Sequence, residues 1–231
     1  MQTYHSAERL PKEIRLRDMG SFYAGGQKIE ISGRDIIEIN VNEKCDRRII
    51  VDPNGSYQIG QMYVQYYIPE KIHGKYPLLL WHGGGMTGKS YETTPDGRPG
   101  WLSYFIRSGW KTYLSDAVER GRSSWCPYGE AFETMPTLFP EAYVFERFRL
   151  GKSFEEKSLF EGSRFPMNGF EEYAKEFVPR WTTTSELAVD AYCALLEKTG
   201  PSVIVAHSQG ASLAFEVLQK KPDLVKALIA V

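Results

Sequence analysis

Apolar residues along this chain follow two spacings, one suited to strands and one to helices. Residues 61–68 are rich in aromatic and β-branched side chains and are closed by Pro69, as a strand would be. Residues 76–81 are apolar without alternation, the pattern of a strand buried on both faces. Residues 111–115, 202–206 and 225–231 also read as strands. Helical patterns fall between them: residues 101–108, ending near Gly109, and residues 211–218. A third carries Leu187, Ala191 and Leu195 at i, i+4 and i+8, after a Thr183-Thr184-Ser185-Glu186 capping box. Residues 21–24, Gly25-Gly26 and residues 27–31 read as a hairpin, and Asp52-Pro53-Asn54-Gly55 as a turn. Strands alternating with helices predict an α/β fold, a mostly parallel sheet with helices on both faces. Ligands of such sheets gather at the carboxyl ends of the strands.

The alternation fails over residues 124–182. This stretch is dense in aromatics, among them Trp125, Phe139, Tyr143, Phe148, Tyr173 and Trp181, and is broken by prolines. It reads as an insertion capping a site, with most of its aromatics forming its own core and a minority facing substrate. The predicted organisation is a loosely docked arm over residues 1–20, a core over 21–123 and 183–231, and a cap over 124–182.

With 42% hydrophobic residues the chain can bury a sizeable core, and a net charge of −1 gives no reason to expect a nucleic-acid partner. No apolar run approaches the roughly 18–20 residues of a membrane span. The first residues have no apolar signal region, and Cys45, Cys126 and Cys193 are an odd set without metal-ligand spacing. The expectation is a reduced, cytoplasmic protein with no metal and no cofactor.

Two tetrapeptides carry chemistry. His207-Ser208-Gln209-Gly210 follows an apolar strand and opens a helix. That is the layout of a nucleophile elbow, whose tight turn needs small residues two before and two after the serine, here Ala206 and Gly210. Such a turn lifts Ser208 above the sheet and leaves the Gln209 N–H for an oxyanion. His82-Gly83-Gly84-Gly85 follows the buried strand at 76–81. Consecutive glycines let the backbone approach a ligand closely and aim its N–H groups at developing negative charge. A phosphate cradle is the rival use, but the chain has no Gly-x-x-x-x-Gly-Lys-Ser/Thr and no Gly-x-Gly-x-x-Gly opening a helix. Ser208 is thus the candidate nucleophile. Gly84 and Gln209, with Gly85, are the candidate oxyanion donors, and His82, Gly83 and His207 the supporting residues.

With both motifs in order, residues 61–231 resemble the α/β-hydrolase superfamily. The segments 61–66, 82–89 and 92–98 are similar to a small group of bacterial esterases whose triad acid is a glutamate after the sixth strand. The resemblance implies a Ser–His–Glu hydrolase of carboxylic esters or lactones, and the aromatic cap suggests that the substrate is small and apolar.

The base of such a triad has no evident source. His207 adjoins Ser208 with its ring expected to point away, His82 is expected to brace the oxyanion loop, and His5 and His73 precede the sheet core. The superfamily order is Ser, acid, His, so the acid and base are expected beyond Val231, on a missing segment or a second C-terminal chain completing the fold. The alternative is a complete protein without a triad, a ligand-binding module. C–C bond hydrolysis and acyl transfer would use the same site residues. Asp116 and Glu119, near the site mouth, read as solvated loop-tip charges ahead of a role orienting a histidine, Asp190 and Glu197 as a helix's polar face, and Arg120 and Arg122 as loop anchors ahead of partners for an anionic substrate.

Overall fold

The computed structural model describes residues 13–231. Most of the expected N-terminal arm lies outside the described residues, and its described end is already strand. β1 (Leu16–Ile31) runs through residues 16–20 and straight through the expected hairpin. It pairs antiparallel with β4 (Gly55–Pro69) along almost its whole length. Gly25 and Gly26 do adopt positive φ, 67° and 97°, but reverse nothing. They let the strand pass close beneath a helix: a Cβ on Gly25 would lie 2.7 Å from the Cα of Ala191. Between β1 and β4 a separate antiparallel pair, β2 (Ile37–Asn42) and β3 (Cys45–Val51), exposes Ile37, Ile39, Ile49 and Ile50.

The predicted α/β arrangement is present. The main sheet has the order β1-β4-β6-β5-β9-β10, with β5 (Leu78–Trp81), β6 (Thr112–Asp116), β9 (Ser202–Ala206) and β10 (Val225–Ala230). β6, β5, β9 and β10 are mutually parallel neighbours, while β1 and β4 are antiparallel. The two-residue period of each strand divides the core. Leu79, Trp81, Ile204 and Ala206 face α4 (Ser185–Thr199) and α5 (Gln209–Lys220), and Trp81 stacks on Tyr192 of α4 at 3.9 Å. Leu78, Leu80 and Val205 face the opposite layer, with α1 (Trp101–Arg107). Covering both faces explains why β5 reads as an unbroken apolar run.

The capping box does not form. α4 starts one residue later than the box requires, with Thr184 rather than Thr183 at the N-cap, and the Thr184 hydroxyl makes no cap bond but lies 3.4 Å from Glu119 Oε1. The segment between β6 and α4 carries α2 (Glu141–Arg147), the short pair β7 (Gly151–Ser153) and β8 (Ser158–Leu159), and α3 (Phe170–Ala174). It touches the core through Val178, whose N–H bonds the Gly85 carbonyl at 2.9 Å, and is tied to itself by an antiparallel bridge between Thr137 and Arg180. No helix among the described residues is long and apolar enough to cross a membrane.

Candidate active site

β9 ends at Ala206, and α5 begins at Gln209, so the chain turns within two residues. Ser208 takes the strain of that turn, with φ 53° and ψ −116°. A β-carbon-bearing residue is rarely found there, and such outliers concentrate at functional sites. The small-residue requirement is visible: a Cβ on Gly210 would come 2.5 Å from the His82 carbonyl oxygen and 3.1 Å from Trp81. Ser208 is exposed, with its backbone N–H bonded to the Val231 carbonyl at 2.8 Å. Gln209 is the first residue of α5, so its N–H has no acceptor within the helix.

The glycine loop after β5 packs onto this turn. A Cβ on Gly83 would be 2.8 Å from His207 Nδ1 and 3.3 Å from the Ser208 Cβ. A Cβ on Gly84 would be 2.6 Å from Arg180 Nη1 and 3.1 Å from Gln209 Oε1. Ser208, Gln209, Gly83 and Gly84 line one cleft; Gly85 is not among its lining residues and packs near Phe139.

His82 holds the loop in shape. Its Nε2 accepts the Ala117 N–H at 2.9 Å, which leaves Nδ1 to carry the proton and donate to the Gly83 carbonyl at 2.8 Å. Both ring nitrogens are committed to backbone. Burial, with Arg120 nearby, pushes its pKa down to about 4. His82 is therefore a neutral brace. His207 is different: its ring lies beside Gly83 and it lines the same cleft as Ser208, so it does not turn fully away as expected. Burial lowers its pKa. No hydrogen bond joins Ser208 to a histidine among the described residues. His73 packs on Gly109 at the opposite, amino-terminal end of the parallel strands, and His5 lies outside the described residues.

The charges after β6 are not solvated, contrary to expectation. Asp116 is buried and accepts from the Gly88 N–H and from the backbone and guanidinium of Arg122. These donors hold its carboxyl below the ordinary value despite its burial. Glu119 is buried too, because the loop folds inward beneath the glycine turn. Its Oε1 accepts from Arg120 Nε at 3.0 Å, from the Trp181 N–H at 3.1 Å and from Thr184. Arg120 Nη2 then reaches Gln209 Oε1 at 3.1 Å, so the ion pair supports the elbow. Arg120 and Arg122 are thus anchors, as predicted. Asp190 and Glu197 are exposed and pair with Lys220 and Lys221 on α5.

The cleft has a volume of about 810 Å³, within the range of small-molecule sites. From the aromatic segment, Phe139, Tyr143, Phe148 and Tyr173 line it, while Phe132, Phe145, Phe170 and Trp181 are buried. The sequence offered no reason to single out Arg180, which also lines the cleft.

No family model matches the chain. It is 31% identical over 190 residues to a protein named probable secreted lipase phiG from Fungal sp. (strain ATCC 74256), covering 76% of this chain and 50% of that one. It is 29% identical to a solved structure described as a novel bacterial esterase, with a TM-score of 0.79 over 94% of this chain and 68% of that one. The chain has the α/β-hydrolase fold. It spans about half the length of the curated lipase it matches. In this chain the strand–turn–helix from β9 to α5 and the loop after β5 carry the two motifs read from sequence.

Proposed function

We propose that this chain carries the nucleophile and oxyanion site of a serine hydrolase acting on carboxylic esters or lactones. The observation that carries the reading is Ser208, held at φ 53° on the elbow and facing the Gly83–Gly84 backbone across a shared cleft. The likeness to a lipase and an esterase supports the same reading.

In this reaction the Ser208 oxygen bonds to the ester carbonyl carbon while a base takes the hydroxyl proton. The carbonyl oxygen gains negative charge and receives the N–H groups of Gln209 and Gly84. Collapse breaks the bond to the alcohol, which leaves with the proton from the base. Water then releases the acid by the same steps and restores Ser208. The aromatic segment acts as a cap that excludes water. The base is a histidine paired with an acid, both outside these 231 residues. Supporting this, His82 is committed to backbone and the two relatives are longer.

Fluorophosphonate labelling followed by intact mass tests the reading, with Ser208→Ala as control. On a chain extended to its relatives' length, one adduct with Ser208 present and none with Ser208→Ala supports an activated Ser208. Failure to label a chain extended to its relatives' length would overturn it.

A further inference from the structure

Among the described residues, the cleft beside Ser208 is lined by arginines and by no aspartate or glutamate side chain. Its charged lining residues are Arg147 and Arg180. Two buried acids are already paired: Glu119 with Arg120, and Glu176 with Lys89 at 2.5 Å. Arg180 makes no ion pair among the described residues, and its Nε is buried without a hydrogen-bond partner. A buried guanidinium N–H left unpaired costs more than an ordinary missing bond, because the group keeps its charge. Arg120 cannot relieve it, since the two guanidiniums repel and Gln209 Oε1 is already taken by Arg120.

Arg180 is also held in place. Its own N–H and carbonyl both bond Thr137, at 3.0 and 2.8 Å, and the next N–H, of Trp181, bonds Glu119. From this fixed backbone its Nη1 reaches the face of Gly84, next to the oxyanion site. The rest of the cleft is largely apolar, with Met86, Trp101, Phe139 and Phe148.

Resting on the serine-hydrolase reading, we propose that the substrate is an amphiphilic ester bearing a carboxylate, which Arg180 binds while the apolar part lies on the aromatic walls. A planar fork of N–H donors matches a carboxylate and gives both charge and geometry. Arg180 is then a specificity-determining residue of the site.

Direct binding tests this without any need for turnover. Calorimetry would compare 4-phenylbutyrate with 4-phenylbutanol, its neutral counterpart, on the Ser208→Ala chain. The carboxylate should bind at least ten-fold tighter. That preference should vanish in Arg180→Gln and largely return in Arg180→Lys, with unchanged thermal unfolding showing that the variants fold. Equal binding of both compounds, binding of neither, or a preference that survives Arg180→Gln would overturn the proposal. Because Ser208 is already removed, an inert nucleophile would show only in the labelling experiment, so the two readings fail separately.

Discussion

The Nε2 of His82 accepts its hydrogen bond from the backbone N–H of Ala117, 2.9 Å away. That single contact fixes the tautomer, spends the ring's lone pair and ties the loop after β6 to the glycine loop after β5.

It also sets a pH dependence. His82 has a folded pKa of about 4 against an ordinary 6.5, so the unfolded chain takes up its proton first as pH falls. Stability should be full above pH 6.5, decline as pH drops toward 4, and level below that, a loss of about 3 kcal/mol in all. Urea midpoints between pH 7 and 4.5 would trace it. His82→Gln keeps an acceptor for Ala117 and removes the titration, so its midpoint should lose most of this slope.

Alanine at position 210 reverses the usual rule. Gly→Ala inside a helix ordinarily stabilises by about 1 kcal/mol. Here the new Cβ meets the His82 carbonyl at 2.5 Å, and overpacking of this kind costs about 1–3 kcal/mol. Gly210→Ala should therefore melt lower than the parent, and its Ser208 labelling should slow. A higher melting temperature would contradict the tight elbow.

Backbone strain at Ser208 can be read from two substitutions. Relief of a positive φ is worth about 1–3 kcal/mol, and glycine's greater unfolded-state freedom takes back about 0.4–1 kcal/mol. Ser208→Gly should thus be more stable than Ser208→Ala by about 1 kcal/mol in urea titrations. Equal stability would mean that the turn is unstrained.

Asp116 clamps Gly88 and Arg122 from one carboxylate. Asp116→Asn weakens both contacts and should cost about 2 kcal/mol, less than a fully buried pair because Arg122 is 39% exposed. With its folded pKa below the ordinary 3.8, Asp116 contributes stability above that value and loses it as pH falls further. The parent and the variant should therefore converge in acid.

The elbow and the glycine loop were legible because their chemistry is local: small residues, a serine, and flanking strand and helix. Residues 78–81 were legible because burial on both faces leaves no polar position. The glycine pair at 25–26 misled because positive φ serves a turn and a close helix crossing equally well, and only Ala191, far along the chain, decides between them. The Thr183–Glu186 spacing misled for a similar reason, since the helix begins one residue later, at a Thr184 whose hydroxyl has a tertiary partner in Glu119. Glu119 was legible as near the site mouth but not as buried, and Arg180 was not legible at all. Nothing in a run of charges reports which of them will be folded inward beneath a glycine loop.

One carboxylate oxygen of Glu119 joins three stretches of chain: the loop after β6, the end of the aromatic segment at Trp181, and the start of α4 at Thr184. A door hung on that oxygen cannot swing from its Trp181 edge. If the aromatic segment opens to admit substrate, its hinge belongs at the Ser124 edge, where the backbone already bends to φ 61°, and the Trp181 edge serves as the door's fixed jamb.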